Sequence, residues 1–175
     1  MTIPSRLFSI LVVLVFTLSS FASLPHATLP GFAGEAKAAS ILQFTSGGHA
    51  LGFTAQAMYA ATGSHALHVD FIGARAIQPH TGSSSSNVDG KPAPLSRVTY
   101  PGLWNGIDLL YTSTVGSLYT TTYTLAPGAD ASDIRLRYNA PLTLNKNGTL
   151  SIAFETGALT ESAPIAWQDL SLIHI

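Results

Sequence analysis

From Arg97 to Tyr138 the chain reads RVTYPGLWNGIDLLYTSTVGSLYTTTYTLAPGADASDIRLRY, and this stretch limits the fold more than any other. Ile107, Leu109 and Tyr111 alternate with Asp108, Leu110 and Thr112; after Val115-Gly116, Tyr119, Thr121, Tyr123 and Leu125 repeat the period. A period of two puts one set of side chains on a single face of a pleated strand, whereas a helix would need a period of 3.6. Pro101-Gly102 and Asn105-Gly106 read as turn signals bracketing Trp104. Ala126-Pro127-Gly128-Ala129-Asp130 closes the unit, with a proline that presets φ and a glycine free to take φ > 0. The stretch describes a folded β-domain and contains no recognisable catalytic apparatus.

The same pattern continues on both sides. Ile41, Phe44, Gly47-Gly48, Leu51 and Phe53 predict a first hairpin. Ala55 to Ala61 has helix propensity, but its shortness and its β neighbours favour a strand with Met58 and Ala60 on one face. Thr62-Gly63-Ser64 turns into a strand carrying Leu67, Val69 and Phe71, with His68 and Asp70 opposite. Order weakens from Gly73 to Ser96, where Gly82 to Asn87 reads as a serine-rich loop. Asp130 to Asp133 resembles one capped helical turn, with Asp130 accepting from orphan amides.

Ile134, Leu136 and Tyr138 begin another strand with Arg135 and Arg137 outward, and Leu142 and Leu144 form the next. Lys146-Asn147-Gly148 signals a hairpin. Leu150, Ile152 and Phe154 return, Thr156-Gly157 turns again, and Ala163 to Trp167 reads as a last, edge-like strand. Short strands at regular spacing, joined by glycine turns, predict an all-β antiparallel sandwich or open barrel; the strand order stays open.

Ahead of this domain, Arg6 precedes the apolar run Leu7 to Leu18, which fits the h-region of a secretory signal and falls short of the ~20 residues of a spanning helix. Ser20-Phe21-Ala22 and Ala36-Lys37-Ala38 compete as cleavage sites, and an uncleaved apolar anchor is the other reading of the run. The expected organisation is therefore a signal peptide and linker over 1–39, a single β-domain over 40–170, and a tail, 171–175, that reads as unrelated sequence, with a short genuine tail as the alternative. After cleavage no stable membrane span is expected. Charged residues make up 10% and the net charge is −1, which gives no electrostatic footprint for nucleic acid. The absence of cysteine removes disulfides, thiolate metal sites and cysteine nucleophiles together.

Carboxylates come first among chemical candidates, because an exported β-domain can be a glycosidase. Asp70, Asp108, Asp130, Asp133, Glu155 and Glu161 are present, but two-carboxylate hydrolysis needs a facing pair in a cleft, which spacing cannot establish. Asp108 lies beside Trp104 in the densest motif and reads as an anchor for the turn amides after Asn105-Gly106, with a catalytic role as the alternative. His65-x-x-His68-x-Asp70 has metal-ligand residues, but on a strand His65 and His68 point to opposite faces, and the remaining two ligands do not make a zinc site. No G-x-S-x-G elbow occurs. Trp104, Tyr111, Tyr119, Tyr123 and Trp167 offer flat faces for a sugar, although at strand spacing such residues more often form core and cross-strand pairs. The candidate ligand or turn-anchor residues are thus Trp104, Asp108, Tyr111, Tyr123 and Asp130, with no catalytic, cofactor or metal residue assigned.

Val98-Thr99-Tyr100, Trp104-Asn105-Gly106-Ile107-Asp108-Leu109-Leu110-Tyr111, Gly116-Ser117-Leu118, Ala126-Pro127-Gly128-Ala129-Asp130 and Ile134-Arg135-Leu136 together resemble the N-terminal domain of bacterial SBBP-repeat proteins, large exported proteins with propeller-type repeats. Asn147 to Leu150 and Leu159 to Pro164 extend the likeness, which spans roughly 41–169. Two departures stand out: the family's Asn-Tyr-Phe-x-Gly segment is replaced by the serine loop and Lys91 to Pro94, and its Tyr-Pro becomes Trp104-Asn105. The resemblance implies an exported, cell-surface, non-enzymatic module at the front of a longer protein, without a cofactor. Its partners would be downstream repeat domains of the same protein, or a surface glycan or protein. A carbohydrate-binding module and a glycoside hydrolase domain are the rival classes. The family pattern runs on after Asp169 into another strand, so the chain reads as a fragment whose last strand lacks a neighbour.

Overall fold

The computed structural model describes residues 10–18, 41–81 and 92–168. In chain order the strands are β1 (Ile10–Leu18), β2 (Leu42–Ser46), β3 (His49–Phe53), β4 (Ala57–Ala61), β5 (Ala66–Ile72), β6 (His80–Thr81), β7 (Ala93–Pro94), β8 (Arg97–Trp104), β9 (Ile107–Thr112) and β10 (Ser117–Leu125). A 3₁₀ turn, Ala131–Asp133, leads into β11 (Arg135–Tyr138), β12 (Leu142–Leu144), β13 (Leu150–Phe154), β14 (Gly157–Glu161) and β15 (Ile165–Gln168). They form two sheets. One is ordered β12-β13-β14-β1-β10-β9-β8-β6 with β15 also against β1; the other is ordered β11-β5-β4-β3-β2-β7. Apart from the short parallel β2–β7 ladder, the described pairings are antiparallel.

Alternation explains how the sheets close on one another. Phe44, Phe53, Met58, Val69 and Phe71 face inward from the six-stranded sheet, and Val98, Tyr100, Leu109, Tyr111, Tyr119, Tyr123 and Ile152 from the larger one. Both sets belong to one buried cluster, so of the two expected architectures the fold is the sandwich. Aromatic edges interlock across the interface: Phe71 meets Tyr100 at 5.3 Å between ring centres, and Phe53 meets Tyr111 at 5.1 Å.

The strand expected over Ala55 to Ala61 is β4, with Met58 and Ala60 buried together. Asn105-Gly106 forms the two-residue turn between β8 and β9, where Trp104 pairs with Ile107 and Gly106 sits at φ +69°. Pro101-Gly102 differs from expectation. It lies inside β8 at a register shift between Tyr100 and Trp104, with Gly102 at φ +58°, so it makes a bulge rather than a turn. Proline has no amide to give the ladder, and a bulge is where a strand tolerates that loss.

The N-terminal segment differs more. Ile10–Leu18, expected as part of a leader outside the domain, is a strand of the larger sheet, paired with β10 on one side and with β14 and β15 on the other. The physical reason is that Ile-Leu-Val-Val-Leu-Val-Phe-Thr-Leu, rich in β-branched residues, suits a buried strand as well as it suits an h-region. For the same reason the last strand is not left without a neighbour: Ile165 to Gln168 pairs with Ile10 to Val13. Both expected cleavage sites, the serine loop and the 171–175 tail lie outside the described residues.

Candidate functional site

The densest motif residues converge on the interior. Trp104 is 2% exposed; its Nε1–H donates to the Ile72 carbonyl at 3.0 Å, and its ring meets Phe71 at 6.0 Å and Tyr123 at 6.1 Å. Tyr111 packs edge-on against Tyr119 at 5.2 Å, and both are buried with Tyr123. Trp104, Tyr111, Tyr119 and Tyr123 are thus all buried in the core cluster. Trp167, on β15, is exposed.

The two aspartates hold backbone. Asp108 Oδ1 accepts from the Gly102 amide at 2.6 Å, so it clamps the bulge in β8 across the hairpin rather than the turn after Gly106. The same bulge is gripped from the other side by Arg75, whose Nε donates to the Gly102 carbonyl at 2.9 Å. Asp108→Ala should lower stability by about 1–2 kcal/mol, since a charge-assisted bond to an amide of a fixed bulge is lost. Asp108→Asn should recover part of that loss, and thermal unfolding of both variants checks it; an unchanged melting point for the alanine variant would remove the clamping role. Asp130 is the N-cap of the 3₁₀ turn, its Oδ1 accepting from the Ser132 amide at 2.9 Å, and that bond lowers its pKa.

The histidines separate, His65 in the turn ahead of β5 and His68 within β5. His65 turns towards His49, with their Nε2 atoms 3.2 Å apart, while His68 stacks on Tyr59 at 4.5 Å and places Nε2 3.0 Å from Asp70 Oδ1. Asp70 also holds Arg137 at 2.9 Å. Burial lowers the pKa of both His49 and His65, so the pair stays neutral around pH 7. Among the described residues, no group of three or more His, Asp and Glu side chains is placed to hold a metal ion.

Sequence reasoning named the most unusual group only as one of six carboxylates and did not foresee its burial. Glu161, at the end of β14, is 4% exposed and accepts from the Tyr138 hydroxyl at 2.9 Å. Burial pushes its pKa up to about 7, against the smaller opposing effect of the Tyr138 hydrogen bond. It lines an internal cavity of about 10 Å³ with Tyr119, Thr121, Tyr123 and Tyr138, the size of a single water molecule. That space holds no substrate. The signal was present, since Glu161 shares the parity of Leu159, the inward position of β14. A second concavity, about 220 Å³, opens to solvent between Arg75, Arg135, Asp133 and Asn105 over the edge of Trp104. Each of these two concavities contains a single carboxylate, whereas two-carboxylate hydrolysis needs a facing pair.

Fold and site together define a two-sheet β-sandwich whose signature motif is built into its core, its bulge and its cap. The chain belongs to the family described as a domain of unknown function (DUF7948), which matches residues 37–172. No curated protein and no solved structure matches the chain.

Proposed function

We propose that this chain is a non-catalytic structural or interaction module, carried to the outside of a bacterial cell at the front of a longer surface protein of the SBBP-repeat kind. The observation that carries the reading is how the motif residues are used. Trp104, Tyr111 and Tyr123 join the two sheets, and Asp108 and Asp130 fix backbone. The residues that give the motif its likeness to that class therefore serve a scaffold.

Export is supported by Arg6 and the apolar run after it, by the small residues at Ser20-Phe21-Ala22 and Ala36-Lys37-Ala38, and by a surface poor in charge and free of cysteine. Expression in a secreting bacterial host, followed by N-terminal sequencing of the exported protein, tests it. The expected first residue lies just after Ala22 or just after Ala38. Protein recovered only inside the cell with Met1 intact overturns the export reading.

A further inference from the structure

The larger sheet is continuous only through β1. Its order places Ile10–Leu18 between β10 and β14, and among the described residues no direct β10–β14 ladder is formed. On one side six positions run in register with β10, from Ile10 opposite Leu125 to Val15 opposite Thr120, and after a register shift Thr17 stands opposite Ser117. On the other side β15 and β14 lie end to end along the same strand, taking Ile10 to Val13 and Phe16 to Leu18. One strand thus satisfies three backbone edges. Yet the family match begins at residue 37, so the domain is recognisable without the strand that joins its sheet.

We propose that the position between β10 and β14 is a strand-acceptor site. Ile10–Leu18 holds it in the uncleaved chain. Once that segment is removed, the site takes an extended, proline-free apolar segment of at least seven residues running antiparallel to β10. The second half of this proposal rests on the export reading, because cleavage after Ala22 or Ala38 takes β1 away.

The chemistry of the occupant follows from the register. Directly opposed residues of an antiparallel pair share a face of the sheet. Leu125, Tyr123 and Thr121 are buried on the inward face of β10, and they stand opposite positions 10, 12 and 14. An incoming strand therefore needs apolar residues at three alternate positions, and its backbone pairs the exposed edges by strand addition. Carboxylates at those positions would be buried near Glu161 without a cationic partner.

The experiment uses the purified 175-residue chain with a specific protease site placed between residues 24 and 36, so it does not depend on export. After nicking, the N-terminal piece should stay bound through gel filtration. In mild denaturant it should exchange with a labelled synthetic peptide carrying residues 10–18. A peptide with Val12→Asp and Leu14→Asp should be captured on the order of a hundredfold less, the penalty of two buried carboxylates set near Glu161 with no cation to pair them. Hydrogen exchange should show β10 and β14 losing protection when the site is emptied and regaining it with the peptide.

Three results would overturn the proposal. One is a piece that dissociates on nicking while β10 and β14 stay protected. Another is equal capture of the two peptides. The third is an emptied protein that pairs with its own copies in preference to the peptide. N-terminal sequencing of exported material judges the export reading separately, whichever way the exchange experiment falls.

Discussion

Trp104→Ala should destabilise the protein by about 3–5 kcal/mol, the range for removing a large aromatic from a packed core. Two losses combine at this position. The buried indole leaves a cavity with Phe71 on one side and Tyr123 on the other. The Ile72 carbonyl loses its donor, and Ile72 ends the strand that leads into the Arg75 grip on the bulge. Trp104→Phe restores volume without the N–H and should cost about 1–3 kcal/mol, the penalty of a buried carbonyl left without its partner. Chemical denaturation of the three proteins checks the order. A Trp104→Ala variant as stable as the parent would mean the indole is not held between the sheets.

Glu161 gives the largest expected dependence on pH. Its carboxyl is raised in the fold to about 7 from an ordinary value of 4.5, because burial disfavours the charged form. The sign follows from linkage. With the folded value above the unfolded one, the group's contribution is fully present below about pH 4.5 and is lost as pH rises through 7. Over that window the loss amounts to about 3 kcal/mol, which for a chain of this size corresponds to roughly 6–12 °C in melting temperature. Glu161→Gln keeps the shape and an oxygen for the Tyr138 hydroxyl while removing the charge. The variant should melt well above the parent at pH 8 and close to it at pH 4.5. Parallel melting curves for the two proteins across that range would place the charge of Glu161 in water rather than between the sheets.

Much of the domain was legible because a strand's period is local. Met58 with Ala60, Leu67 with Val69 and Phe71, and Tyr119 with Tyr123 are each buried on one face, as alternation alone requires. Asn105-Gly106 as a turn and Asp130 as a cap rest on the preferences of two or three neighbouring residues, so they too could be read from the chain. In each case the physics acts within a few residues of the one concerned.

What the chain could not reveal depends on contacts between residues far apart. The pairing of Asp108 with the Gly102 amide turns on a bulge, and Pro101-Gly102 has the same letters whether it bends a strand or ends it. The burial of Trp104 and Tyr123 required the second sheet to cover them, since alternation marks a face without saying whether water or protein lies over it. The raised pKa of Glu161 needed the burial that β10 and β11 provide around the end of β14, against the smaller lowering effect of the Tyr138 hydrogen bond. The sequence by itself determined which residues form strands and which side of each strand is apolar, because backbone periodicity is a short-range property. Only the tertiary structure decided which strands are neighbours, and with that the place of Ile10–Leu18 between β10 and β14, because any apolar strand of suitable length satisfies a sheet edge equally well on local grounds.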